Sequence, residues 1–301
     1  MWRRRLLAAI AALSALAAAA PVSAQEPAAS ATGAYLNLTP KRVTLDRGRR
    51  NSAVYLVNQG DRPVTVDIAL VDRVMLPDGQ ISAVDSSERQ AEVQAAAAGL
   101  KSARALLQVS PRRVVLQPGR PQTVRVRLSS MPEAAAGEHR SHLTITTLPP
   151  PETGATAEAA AGGGAAGELR FQIAAVYGLS IPVIVRPGEP DVAARIENAR
   201  IEHAAAAGDG GPPVRRITLV AFDVVRTGTS STYGNFEVRI AGAPKSAEPL
   251  GLARGVGVYP ETARRAVRIP LTREPAPGER LEVTFTDDDT SPGKVLAQAA
   301  L

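Results

Sequence analysis

Apolar and polar residues alternate with a period of two through most of this chain, the pattern of strands that bury one face and wet the other. It predicts strands near 35–45, 53–59, 63–74, 105–109, 113–116, 121–128, 140–148 and 169–186 in the first half. In the second half the pattern predicts strands near 195–202, 214–225, 234–240, 252–258, 264–271 and 280–286. Turn sequences such as "NQGDRP", "LPDGQ" and "QPGRP" punctuate them. Helical spacing is confined to the apolar N-terminal run and the alanine-rich tract "AEVQAAAAGLKSARAL" over 91–106. Short strands separated by turns, in blocks of ~100–150 residues, predict an all-β protein of two β-sandwich domains in tandem.

One segment breaks the pattern by its length. "RFQIAAVYGLSIPVIVR", 170–186, reads as a single strand whose odd positions, Phe171, Ile173, Ala175, Tyr177, Leu179, Ile181, Val183 and Val185, form one apolar ridge. At ~3.3 Å per residue that ridge is roughly 55 Å long. It must either enter the protein's own core or be covered by something else. Ile181, Val183 and Val185, nearest the end, are expected in the core. The strand is preceded by "PPPETGATAEAAAGGGAAG", 149–167, which has almost nothing large and apolar to bury and reads as a mobile loop. It is followed by "VRPGEP", 185–190, a natural boundary between a first domain over 25–187 and a second over 188–301.

The N-terminus supplies an address. "MWRRR", an apolar run from Leu6 to Ala20 and "PVSA" before Gln25 form the three regions of a secretory signal peptide over 1–24. The apolar run is shorter than a bilayer-spanning helix needs. An exported, periplasmic product is expected. It has no cysteine, so no disulfide framework stabilises it. The whole chain is +6, but removing Arg3, Arg4 and Arg5 leaves 32 basic against 29 acidic residues, interleaved along the sequence. Aromatics are sparse, so nucleic acid is not an expected partner.

Catalytic constellations are absent from the pattern. The histidines are His139, His142 and His203; the first two stand three apart on a predicted strand and so face opposite ways, which makes them poor co-ligands for a metal. No serine sits in a G-x-S-x-G elbow. Gly162, Gly164 and Gly167 match G-x-G-x-x-G but lead into a strand where a dinucleotide site needs a helix. "TDDDTSPG", 286–293, lacks the ligand spacing of an EF-hand and reads as a solvated acidic turn. The expectation is a non-enzyme without cofactor or metal.

Several segments in order resemble the periplasmic pilus and fimbrial assembly chaperones. "LNLTPKRVTL", "AVYLVNQGDRPVTVDIALVD", "LLQVSPRRVVLQPGRPQTVRV" and "EHRSHLTITTLPPP" are similar to successive strands of that family's first domain. "IPVIVRP" resembles the end of its last strand, and "VVRTGTSSTYGNFEVRI" a stretch of its second domain. The resemblance spans about residues 35–300 and implies two immunoglobulin-like sandwiches, pilus or fimbrial subunits as partners, and delivery to an outer-membrane usher. It also implies that the strand over 169–181 is donated to a subunit that lacks one, a case of strand addition to an open edge. Phe171, Ile173, Ala175, Tyr177 and Leu179 would then be the donated face, and the same ridge would let the client-free protein self-associate.

Two further roles follow from the resemblance alone. Arg42 falls where the family carries a cleft arginine that grips the subunit's terminal carboxylate; Pro182 stands where the partner lysine belongs, with Arg140 the candidate substitute. Arg186 aligns with an arginine that holds the two domains together. The competing reading of the function is a secreted two-domain structural or adhesive envelope protein without chaperone activity; the competing reading of the ridge is that all eight odd positions pack in the protein's own core.

Overall fold

The computed structural model describes residues 35–149, 176–206, 215–244 and 246–301. The signal peptide, Phe171, Ile173, Ala175, the G-x-G-x-x-G tract and all of the 149–167 segment after Pro149 lie outside the described residues.

The first sandwich contains β1 (Leu36–Thr39), β2 (Val43–Leu45), β3 (Asn51–Asn58), β4 (Val64–Val71), β5 (Arg73–Met75), β6 (Ile81–Ala83), α1 (Gln90–Ala97), β7 (Leu107–Ser110), β8 (Arg113–Leu116), β9 (Pro121–Leu128), β10 (His139–Thr147) and β11 (Gly178–Val185). Its two sheets have the orders β1-β3-β9-β7 and β2-β11-β10-β4-β8, while β5 and β6 form a separate hairpin. The second sandwich is built from β12 (Ala194–Ala206), β13 (Arg215–Arg226), β14 (Thr232–Ile240), β15 (Gly251–Val258), β16 (Arg264–Pro270), β17 (Leu281–Asp287) and β18 (Val295–Ala300). Its sheets run β12-β13-β16 and β15-β14-β17-β18.

Each sandwich has its own core, made by the period-two alternation. In β9, Val124, Val126 and Leu128 are buried while Arg125 and Arg127 point to solvent. They pack with Leu38, Val54 and Leu56 against Val66, Ile68, Leu143, Ile145, Ile181, Val183 and Val185 of the facing sheet. The second core centres on Phe222, Phe236 and Phe285, the last two stacked with ring centroids 4.2 Å apart.

Four expectations change. The strand foreseen over 35–45 is two: the "TPKR" turn hands the chain from the β1 sheet to the β2 sheet, because Pro40 has no N–H to continue a ladder. The helix foreseen over 91–106 stops after Ala97, where Gly99 follows, and only Val93 of α1 is buried, against Val74 and Leu76. The strand foreseen over 169–186 begins, among the described residues, at Gly178, leaving Val176 and Tyr177 outside it. Strands β6 and β18 have no counterpart in the alternation pattern; "ISA" is very short, and "VLAQAA" is alanine-rich without β-branched alternation.

Candidate functional site

The donated face expected from sequence ends on an open sheet edge. β11 pairs along its whole length with β10, from His139↔Val185 to Thr146↔Gly178. Among the described residues, its other side is covered only where β2 lies parallel to it, Val43↔Val183 to Leu45↔Val185. The N–H of Thr147 donates to the carbonyl of Tyr177 at 2.9 Å, and on the opposite side the N–H of Arg186 donates to Leu45 at 2.8 Å. Antiparallel alternation then turns the backbone groups of Gly178, Ser180 and Pro182 outward. Gly178 and Ser180 present both N–H and C=O to the free edge; Pro182 has no N–H, and its carbonyl faces Val43, where the β2 ladder begins. A proline inside a strand is tolerated in such an outward position, where no ladder bond is lost.

A cleft of about 700 Å³ runs beside this edge, lined by Tyr35, Leu36 and Asn37 at β1, by Gln59, and by Tyr177, Gly178 and Leu179. Among the described residues β1 is itself the edge strand of its sheet, so two edges left unpaired by those residues flank one groove. Apolar surface collects at its mouth: Tyr35, Val176 and Tyr177 are 70%, 57% and 43% exposed. Leu179 is half-buried and packs against the first core, with Ile181, Val183 and Val185 fully inside it. Tyr177 and Leu179 therefore straddle the margin between surface and core.

The free edge ends at Arg42, the residue before β2. Its side chain is only 8% exposed and reaches the second sandwich. Nη2 donates to Ser231 Oγ at 3.0 Å and to Asp289 Oδ2 at 3.1 Å, and the guanidinium lies 4.7 Å from the Tyr233 ring centroid. Arg186 joins the same cluster, donating to Glu138 at 2.9 Å and to Asp289 Oδ2 at 2.7 Å. Ser231 completes it, its hydroxyl donating to Glu138 at 3.0 Å. Burial would raise the Asp289 pKa, yet Arg42 and Arg186 outweigh it and hold the carboxyl below its ordinary value.

This geometry corrects one expectation: the "TDDDTSPG" turn is not merely solvated. Asp287 is buried and accepts from the N–H groups of Asp289, Thr290 and Ser291, which curls the turn and aims Asp289 at the two arginines. The glycines of the "TGTSSTYG" stretch matter here. A Cβ on Gly228 would lie 2.3 Å from the Asp191 carbonyl and one on Gly234 2.0 Å from that of Thr286, so both positions need close backbone approach. Between them stand Ser231 and Tyr233.

Arg140 occupies a second, deeper cluster. It is 2% exposed, ion-paired with Glu261, donates to the carbonyl of Arg73 at 3.0 Å, and lies 3.9 Å from the Tyr259 centroid. Arg42 approaches the same ring at 5.9 Å, so both arginines expected from sequence meet around Tyr259. Burial pushes the Glu261 pKa up, with Arg140 pulling against it. His142, beside Arg140, is driven down to about 2 by burial and by the charges of Arg140 and Arg73. His139 sits elsewhere on β10, its Nδ1 near the carbonyl of Gly137. Glu138, Tyr259 and Glu261 carry no signal in the sequence, because each becomes significant only when the two sandwiches meet; Ser231 and Tyr233 lie in the "VVRTGTSSTYGNFEVRI" stretch and Asp289 in the acidic turn, where the sequence marks the segment but not the residue.

No protein-family model matches the chain, and no curated protein matches it. Solved structures to which it is similar include the YadV chaperone, at 11% identity and TM-score 0.41 over 88% of this chain and 99% of that one. The E. coli chaperone DraB is similar at 14% identity and TM-score 0.38 over 89% and 98%. The Salmonella enterica complex of SafA pilin with the SafB chaperone gives 13% identity and TM-score 0.40 over 90% and 98%.

Proposed function

We propose that the protein is a periplasmic chaperone that holds pilus or fimbrial subunits on the free edge of β11 and passes them to an outer-membrane usher. The observation that carries this reading is the edge itself: the outward groups of Gly178 and Ser180 beside an apolar-mouthed cleft, terminating at a buried arginine. Unpaired edges are a template for a further strand, and proteins that leave one beside apolar surface have a use for it. Because Val43 is the residue opposite Val183, Arg42 lies level with Pro182. A strand laid along 178–181 with its C-terminal carboxylate at Arg42 therefore runs parallel to β11. Arg42 is the anchor and Arg140 a support, since Arg140 is already committed to Glu261 inside the protein. Phe171, Ile173 and Ala175 extend the donated face in this reading.

Recovery of the tagged protein from its native envelope should bring a small subunit in equal amount; a structural or adhesive protein would come alone. Tyr177→Asp should abolish that recovery and leave thermal melting unchanged, because a charge in the covered interface costs several kcal/mol while in the free protein it stays in water. Val183→Asp should unfold the first sandwich, since Val183 is fully buried. Full recovery with Tyr177→Asp would sink the proposal.

A further inference from the structure

A guanidinium offers carboxylates two edges of paired donors, Nε with Nη2 and Nη1 with Nη2, so Nη2 belongs to both. In Arg42 it is Nη2 that is engaged, by Ser231 and Asp289, while Nε and Nη1 are buried without a hydrogen-bond partner among the described residues. Two donors are idle, yet neither edge is free. A carboxylate that grips Arg42 bidentately has to take Nη2 from a present partner.

Asp289 is the partner that can leave. Its Oδ2 also accepts from Arg186 Nη2 at 2.7 Å, so after release from Arg42 it keeps a cation. The other candidate arginine lacks this freedom. Glu261 has its one ion pair among the described residues with Arg140, and displacing it would strand a buried carboxylate.

Resting on the reading of Arg42 as a carboxylate anchor, we propose that Asp289 is an internal competitor: it occupies Arg42 in the free protein and yields it to an external carboxylate, falling back on Arg186. The acidic turn of the second sandwich thereby sets how strongly the first sandwich holds its ligand's terminus. The interdomain contact and the anchor share one atom, so filling one loosens the other.

The test is a titration of the mature protein with acetate, and with acetamide as the neutral isostere, followed by NMR of the Arg42 Nε–H and the Asp289 side-chain carboxyl carbon. Asp289→Asn should bind acetate at Arg42 about tenfold more tightly than the wild type, the size of one charge-assisted contact removed from the competition. Asp288→Asn, at an exposed neighbour in the same turn, should match the wild type. Acetamide should move neither signal. In the wild type, the Asp289 carbon should shift along the same isotherm as Arg42, and this readout holds even if Asp289→Asn fails to fold. Equal acetate affinity in the wild type and Asp289→Asn, or an Asp289 signal that stays still while Arg42 responds, would overturn the competitor and leave the anchor. An Arg42 signal that ignores acetate in every protein would overturn the anchor, and the competitor with it.

Discussion

At the scale of single residues, His142 carries a consequence for pH. Arg140 Nη1 donates toward its Nδ1 at 3.2 Å, Arg73 lies close enough to act on its charge, and the Tyr259 ring packs edge-on at 6.4 Å. The imidazole is therefore neutral in the folded protein down to a pKa of about 2. An unfolded histidine takes up its proton near pH ~6.5, so between those values the unfolded state binds one more proton than the folded state. Stability is fully present above pH ~6.5 and falls on acidification by about 1.4 kcal/mol per pH unit from this group alone. Denaturant midpoints measured from pH ~7.5 to ~5 should decline in the wild type and flatten in His142→Gln. Parallel declines in the two proteins would exclude His142 as the source. The sequence shows that His139 and His142 face opposite ways; it does not show that one of them lies beneath a buried arginine, because Arg73 and Tyr259 reach it from other elements.

At the scale of the element, β11 makes parity measurable through the backbone as well as the side chains. Ser180→Pro removes an outward N–H from the free edge, the same deletion that the chain already tolerates at Pro182. Measured against Ser180→Ala, which removes the same hydroxyl contact with Thr144, it should leave melting nearly unchanged and weaken subunit recovery by the loss of one edge hydrogen bond, about 0.5–1.5 kcal/mol. Leu179→Pro removes an N–H that faces β10 and should destabilise the sandwich itself. If both variants melt alike, the assignment of outward groups is wrong. Period-two alternation makes Ile181, Val183 and Val185 legible as core in the sequence, since every second residue there is large and apolar. It does not tell that the core set reaches as far as Leu179, half-buried against the first core, because alternation gives the face of a strand and not where its cover ends.

At the scale of the whole molecule, the two sandwiches are joined by the β5–β6 hairpin as well as by the arginine clusters. The Met75 N–H donates to Glu261 at 3.0 Å, and Ala266 donates to the carbonyl of Pro77 at 2.7 Å. Met75 packs with Ile184 and Tyr259, with Ile81 beside them. Glu261 is the hub, so Glu261→Ala should leave Arg140 and the Met75 N–H buried and unpaired, costing about 3–5 kcal/mol. Pairing Glu261→Leu with Arg140→Met, which replaces both charges by apolar groups of similar volume, should recover most of that loss. Equilibrium unfolding of the two variants decides it; a double variant as unstable as the single would show that the ion pair itself, and not the stranded charge, is what matters. None of this junction is readable from the "LPDGQ" turn, which announces a hairpin but not the surface on which it lands.

The brevity of β2 has one more result. With three residues, its ladder begins beside Pro182 and leaves four positions, 178–181, for an incoming strand. On the proposed reading, a chain end seated at Arg42 would be read in a fixed frame, counted backward from its last residue. Alternate positions in that frame face the cleft, and a slip of one residue would exchange the buried set for the wetted set. Selection would then fall on the spelling of the final few residues, so that a strand of suitable overall composition but the wrong terminal parity would be rejected.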